Sequence, residues 1–419
     1  MAIAERDSGL IETAPRRSTR VANGFSHLGL TRFRNFREAS LETGLDEGFG
    51  AVVLTGGNGA GKSNLLEALS YLAPGSGLRQ AGIAEVALRQ PDNFSGSQGM
   101  AWAVHARYLG LGGEHALGTG RDPLAPAQQG RERRLSRVNG APLRSQAGFA
   151  EILNVLWLTP QMDRLFSEAA ASRRRFLDRL VYGLDPAHAS RVSAYEQAMR
   201  ERARILRGEA PESTGTDRAA WLAGLEQEMA AQAIAIAAAR QDSVTALNAA
   251  IADAVGPFPQ AGLAVAGAVE EALGAMTALE AEEWLKRRLD EARIGDAEAG
   301  ATQWGTHRSD LVVTLAGRHL GGERLKAGDC STGEQKALLI SVILAEARLS
   351  ARRRGEAPVL LLDEVTAHLD GTRREALFAE LQALRAQCWL TGTERGLFQS
   401  LHGWARFVTV QDGRLTPEN

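Results

Sequence analysis

The chain has 419 residues, a formal net charge of −2, 44% hydrophobic and 23% charged residues. This is the composition of an ordinary soluble globular protein with material for two domains; it excludes a uniformly cationic coat, so any nucleic-acid contact must come from local basic patches. No apolar run reaches the roughly 18 residues a membrane helix needs and no secretory signal is visible, and the two cysteines, Cys330 and Cys388, lack metal-ligand spacing and fit buried thiols in a reducing cytoplasm.

Residues 1–24 carry Arg16-Arg17-Ser18-Thr19-Arg20 and no apolar periodicity, which predicts a disordered tail. A first core segment is expected over 25–162. Within it Ala51-Val52-Val53-Leu54-Thr55 reads as a buried strand. Gly56-Gly57-Asn58-Gly59-Ala60-Gly61-Lys62-Ser63 follows, and a helix starts at Asn64. Strand, glycine loop and helix form the context in which G-x-x-x-x-G-K-[ST] binds a triphosphate: backbone amides face the β-phosphate at a helix N-terminus. Lys62 would reach the β- and γ-phosphates of ATP, and the Ser63 hydroxyl would bind Mg²⁺. Trp102 to Leu109 alternates like a strand, and 111–144 is rich in Gly, Pro and Arg, with Asn139-Gly140 as a hairpin turn.

From Asp163 to about Glu298 the pattern is helical. An Ala-rich helix begins at Trp221 and ends before Gly256-Pro257, and another pattern runs from Val269 to Ala292. This predicts an inserted lobe over 163–300. No helix in it exceeds about 40 residues, or about 60 Å, which is too short for coiled-coil arms and points to a compact lobe. The core resumes over 301–419, with Leu311-Val312-Val313-Thr314-Leu315 as its next strand. Cys330-Ser331-Thr332-Gly333-Glu334-Gln335-Lys336 then opens an apolar helix through the capping box Ser331 and Glu334.

Val359-Leu360-Leu361-Leu362 has no alternation, as in a strand buried on both faces. Asp363 and Glu364 stand at its carboxyl end, where open α/β sheets bind ligands. Asp363 is placed to hold Mg²⁺ through its water shell, and Glu364 is the candidate general base. A site already served by Lys62 and Ser63 has little use for a second phosphate-binding helix end at Ser331. A head-to-tail homodimer sharing two ATP sites accommodates both. Candidate basic patches are Arg131, Arg133, Arg134 and Arg137; Arg173 to Arg175 with Arg179; and Arg200, Arg202, Arg204 and Arg207. Each reads equally as a solvated helix or strand face.

The phosphate loop, the Ser331 segment and the strand ending in Asp363-Glu364 together resemble ABC-type ATPases. More narrowly the chain resembles the RecF family of bacterial recombinational repair ATPases. The blocks behind this are Phe33-Arg34-Asn35-Phe36, Gly61-Lys62-Ser63-Asn64-Leu65-Leu66-Glu67-Ala68, Arg173-Arg174-Arg175-Phe176-Leu177-Asp178-Arg179, Gly305-Thr306-His307-Arg308-Ser309-Asp310-Leu311 and Asp363-Glu364-Val365-Thr366-Ala367-His368-Leu369-Asp370. The resemblance implies an α/β fold: an ABC-type P-loop ATPase head with an antiparallel β-layer, plus a compact mainly helical lobe. It implies that Arg34 and Asn35 lie near the nucleotide, that Ser331 contacts the opposing ATP, and that Asp370 lies at a dimer interface. Gln161 stands where ABC ATPases carry a metal-sensing glutamine, although RecF-like chains often have an acid there, and its role is left open. No His follows Cys388-Trp389-Leu390-Thr391; Thr391 and Thr393 occupy that region.

The activity implied is slow, DNA-stimulated hydrolysis of Mg-ATP by a dimer clamped on duplex or gapped DNA. RecO and RecR would be partners and RecA loading the outcome. Three rivals are an ABC transporter nucleotide-binding subunit, an SMC-like DNA tether and an ATPase joined to a nuclease. The helical lobe, the absent His and the G-T-H-R-S-D-L block count against the first, missing arms against the second, and the lack of a further acidic metal cluster against the third.

Overall fold

The computed structural model describes residues 21–88, 101–122, 134–209, 218–367 and 369–418. The expected tail therefore falls, over 1–20, outside the described residues, as do Arg131, Arg133 and His368.

Six strands form the central sheet: β3 (Ala51–Thr55), β8 (Val155–Leu158), β12 (Val359–Leu362), β13 (Cys388–Gly392), β14 (Ala405–Gln411) and β15 (Arg414–Pro417). Their order is β15-β14-β3-β13-β12-β8, parallel except for the β15 hairpin. Every residue of β3, β8, β12 and β13 is buried, because both faces of the sheet are covered. Successive side chains enter opposite cores. Val53, Leu360, Leu362 and Leu390 pack toward α8 (Thr332–Arg354) and α9 (Gly371–Leu384). Val52, Leu54, Leu361 and Trp389 pack toward α1 (Lys62–Ser70) and the antiparallel layer.

That layer comprises β1 (Gly24–Phe33), β2 (Phe36–Glu42), β4 (Trp102–Gly110), β5 (Gly113–Arg121), β6 (Leu135–Val138) and β7 (Ala141–Pro142), in the order β2-β1-β4-β5-β6-β7. In β4, Trp102, Val104, Ala106 and Tyr108 are buried in alternation, as expected of a one-faced strand. Asn139 and Gly140 take φ of 50° and 81° and form the predicted hairpin turn. Gln387 fastens this layer to the central sheet: its amide donates to the Phe25 carbonyl at 2.7 Å and accepts from Phe25 N at 2.8 Å. The tail boundary at residue 24 needs correction. Val21 and Asn23 are already buried, and Asn23 donates to the Ala357 carbonyl at 2.8 Å.

The inserted region holds α2 (Ala170–Leu184), α3 (Ala187–Leu206), α4 (Arg218–Ala252), α5 (Ala268–Ala275), α6 (Ala278–Glu291) and α7 (Arg293–Ala299). It has a core of its own, including Tyr195, Met229, Ala233, Ile236, Leu285 and Leu289. α4 is 35 residues long; Ala230, Ala233 and Ala237 are fully buried, and such small side chains let neighbouring helices approach closely. The expectation of helix throughout 163–300 misses β9 (Ala261–Ala266), which pairs antiparallel with β10 (Asp310–Leu320) in a three-stranded sheet completed by β11 (Glu323–Lys326). Leu311 to Leu315 thus belongs to this separate sheet and not to the central one. An Ala-Gly-Leu-Ala-Val-Ala run has little intrinsic strand signal, and pairing with β10 decides its conformation.

The two most particular family blocks clasp each other. Arg173 binds both oxygens of Asp310 at 2.8 and 2.7 Å, and Arg174 donates to the Ser309 carbonyl at 2.6 Å. Buried Arg240 binds both oxygens of Asp178 and donates to the Thr306 carbonyl. Burial by itself would push the Asp178 carboxyl up, but Arg240 and His188 outweigh it and hold it well below the usual carboxylate range.

Candidate functional site

The loop from Gly56 to Ser63 turns sharply between β3 and α1, with Gly56, Gly59 and Gly61 at φ of 145°, 78° and 114°. Side chains rarely adopt these angles. A Cβ on Gly61 would also stand 2.5 Å from the Asn35 amide nitrogen. Lys62 is buried and folds back over the loop, donating to the Gly56 and Gly57 carbonyls at 2.7 and 2.9 Å. The ammonium thus sits on the loop whose amides, at the start of α1, provide an anion-binding end.

Ser63 and Asp363 meet across 300 residues of chain: Ser63 Oγ donates to Asp363 Oδ1 at 2.8 Å. Adjacent ligands of an octahedral Mg²⁺ stand about 3 Å apart, given bonds of about 2.1 Å. A hydroxyl that would be one such ligand, hydrogen-bonded to a carboxylate that would accept from the ion's water shell, fits that ion. Among the described residues no group of three or more His, Cys, Asp or Glu could hold a metal, so the fit is to a cation that keeps water and phosphate oxygens in its shell.

The carboxyl end of β12 is braced by β13. Thr391 Oγ1 donates to Asp363 Oδ1 at 2.7 Å and accepts from the Glu364 amide at 2.8 Å. Glu364 is half-buried with φ of 48°, a strained angle for a residue with a side chain. Sequence reasoning recorded Thr391 only as the residue present where no His follows. Its part as the clamp between the two acids depends on the parallel register of β12 and β13, which no local pattern reveals.

Arg34 and Asn35 occupy the turn between β1 and β2 and have different neighbours. Asn35 donates to the Ala60 carbonyl at 3.0 Å and accepts from the Asn64 amide at 2.7 Å, which braces the loop. Arg34 binds both oxygens of fully buried Glu67 on α1 and donates to the Glu85 carbonyl. The hydrogen bonds to Glu67 raise its pKa further. Three of its five N–H donors are used there, which ties the turn between β1 and β2 to α1.

Ser331 caps α8 as predicted: its hydroxyl and amide both donate to Glu334 Oε2, and the Glu334 amide donates back to Ser331 Oγ. The cap is exposed, and among the described residues no hydrogen bond joins Ser331 to Gly56–Asn64 of the same chain. One turn on, Lys336 donates to the carbonyls of Glu364 and Ala367, a link that sequence reasoning did not draw. Asp370 caps α9 by accepting from the Arg373 amide at 2.8 Å. Gln161 is exposed in the turn after β8.

Much of each described basic patch is engaged within the chain. Arg134 is buried over the Tyr71 ring, and burial lowers its pKa to about 10. Arg179 stacks on Trp157 at 3.9 Å. Arg202 is fully buried between Glu226 and Asp296, while Arg200, Arg204 and Arg207 pair with Glu196, Glu201 and Glu209.

No protein-family model matches the chain. Curated relatives do. A DNA replication and repair protein RecF from Mesorhizobium japonicum is 45% identical over 394 residues, covering 94% of this chain and 97% of that protein. The protein of the same name from Rhizobium meliloti is 44% identical, covering 93% and 98%, and that from Brucella abortus is 43% identical, covering 96% and 97%. Among solved structures, a RecF–ATP complex described as a recombination mediator of the RecFOR pathway shares the fold with a TM-score of 0.74 at 20% identity, covering 96% of this chain and all of that one. An Smc head domain from Pyrococcus furiosus matches with a TM-score of 0.51 at 15% identity, covering 94% and 96%. With relatives of this identity over nearly its whole length, the chain belongs to the RecF family.

Proposed function

We propose that this protein is an ATP-dependent DNA clamp of recombinational repair and replication. The observation that carries the reading is the 2.8 Å bond between Ser63 and Asp363, with the Ser331 cap exposed elsewhere on the same molecule. One half-site binds a triphosphate; the other offers a helix cap to a nucleotide held by a second copy. ATP would then join two molecules head to tail around duplex or gapped DNA. Family membership supports RecO and RecR as partners, with RecA loading as the outcome.

In this reading the loop amides and Lys62 hold the phosphates, while Asn35 keeps the loop in shape. Ser63 would bind Mg²⁺ directly and Asp363 through water; the ion supplies charge stabilisation to the phosphoryl oxygens. Glu364 takes the proton of the attacking water, and its backbone is fixed by Thr391. Hydrolysis releases the dimer, so ATP acts as a timer on the closed state. Both cysteines are buried and unpaired, and no described helix is long and apolar enough to cross a membrane; a cytoplasmic site of action accords with this.

The test is the ATPase rate with and without duplex and gapped DNA. Stimulation by DNA that disappears near about 0.5 M salt is expected from counterion release. A rate indifferent to DNA would sink the clamp reading. Sedimentation of Glu364→Gln with ATP at micromolar protein should show a dimer.

A further inference from the structure

We infer that Lys336 is a positioning residue that couples the two ATP sites of the dimer, by joining the Ser331 end of α8 to the backbone that holds Glu364. This rests on the shared-site reading above. Lys336 lies five residues beyond Ser331, and its side chain is only 3% exposed. Its ammonium donates to the Ala367 carbonyl at 2.7 Å and to the Glu364 carbonyl at 3.2 Å, with Asp163 Oδ2 at 3.8 Å. Three segments therefore converge on one nitrogen: the first turns of α8, the loop leaving β12, and the turn Pro160–Ser167 after β8.

Two of the ammonium's three donors go to the carbonyls, and the Asp163 carboxylate at 3.8 Å is a charge partner without a hydrogen bond. The consequence for Glu364 lies in how its backbone is held. Its amide is fixed by Thr391 of β13 and its carbonyl by Lys336 of α8. Two different elements thus maintain the φ of 48°, an angle that persists only where the surroundings impose it. α8 is continuous from its cap through Lys336, so a shift of its first turn moves the ammonium as well. In the dimer, Ser331 of one molecule faces the nucleotide of its partner, whereas Glu364 of that molecule serves its own. Lys336 accordingly transmits occupancy of the partner's site to the general base of the home site. Hydrolysis at the two sites becomes interdependent without any contact between the nucleotides.

The experiment compares full-length wild type, Lys336→Met and Lys336→Arg for kcat, for binding of a non-hydrolysable ATP analogue, and for the Hill coefficient of hydrolysis. Lys336→Met should bind the analogue as wild type does. Its kcat should fall by about 100-fold, the cost of a misplacement near 1 Å, and its Hill coefficient should drop to one. Lys336→Arg, which keeps charge and donors, should recover most of the rate and the cooperativity. Wild-type kcat and cooperativity in Lys336→Met would overturn the inference. So would a joint loss of analogue binding and kcat in both variants, since that marks a purely structural role. Should Lys336→Met fail to fold by circular dichroism, Lys336→Gln replaces it. At equal affinity the order Lys, Arg, Gln in falling kcat is then required, and equal rates overturn the coupling. Wild type that stays monomeric with ATP and hydrolyses it without cooperativity refutes the shared-site reading itself, and takes the inference with it before any variant is compared.

Discussion

At the scale of single residues, the acids that end β12 depend on a threonine one strand away. Thr391→Val keeps the shape but leaves the Asp363 carboxylate with Ser63 alone and removes the acceptor of the Glu364 amide. An unpaired buried group costs about 1–3 kcal/mol, so urea unfolding should show a loss in that range. Steady-state hydrolysis should lose about tenfold or more in kcat, within the range general-base alignment supplies, while analogue binding holds. Thr391→Ser should restore both, and equal activity of Val and Ser variants would exclude the clamp. The phosphate loop and Asp363-Glu364 were legible because each is a contiguous string with one mechanical reading. Thr391 and Lys336 act through neighbours brought in by register and by helix packing, and a string carries neither. Arg34 is a different case: its family block implies proximity to nucleotide, and the sequence does not disclose that buried Glu67 on α1 accepts two of its hydrogen bonds.

Among the elements, α8 carries a titratable group deep in the packing. Glu346 is fully buried, accepts from the Asn154 amide at 3.0 Å, and burial pushes its pKa from 4.5 up to about 8. The folded state thus retains a proton that the unfolded chain gives up. Stability on this account is full below the unfolded value and declines as pH rises toward the folded one, by up to about 1.4 kcal/mol per pH unit. Glu346→Gln should flatten that decline between about pH 5 and 8 in thermal unfolding. Parallel curves for the two proteins would show that Glu346 ionises freely. The clasp between α2 and α4 gives a second expectation: Arg240→Met leaves buried Asp178 with His188 but without its bidentate partner, and should cost about 3–5 kcal/mol in chemical denaturation. The sequence disclosed α4 through its length and the parallel strands through unbroken apolar runs. It hid β9, because an alanine-rich hexapeptide becomes a strand only when β10 lies beside it.

For the molecule as a whole, assembly and ligand binding should be linked. A ligand at a hundredfold excess over its Kd adds about 2.7 kcal/mol to the state that binds it. With ATP, the thermal midpoint of the wild type should therefore rise, and rise further with protein concentration as dimers form. Ser331→Arg places a bulky cation at the exposed cap. It should keep the ATP-induced rise and lose the dependence on protein concentration; retention of that dependence would remove Ser331 from the interface.

The order of strands in the central sheet bears also on how the protein is made. β3 leaves the ribosome early, yet its neighbours on both sides are β13 and β14, which begin at Cys388 and Ala405. At synthesis rates of about 5–20 residues per second, the phosphate loop waits on the order of tens of seconds for its flanking strands. Throughout that interval Ala51–Thr55 is an unpaired apolar strand, and for most of it neither Asp363 nor Thr391 has been made. A nascent or prematurely terminated chain therefore cannot assemble the nucleotide site, and exposes an aggregation-prone edge that calls for chaperone protection.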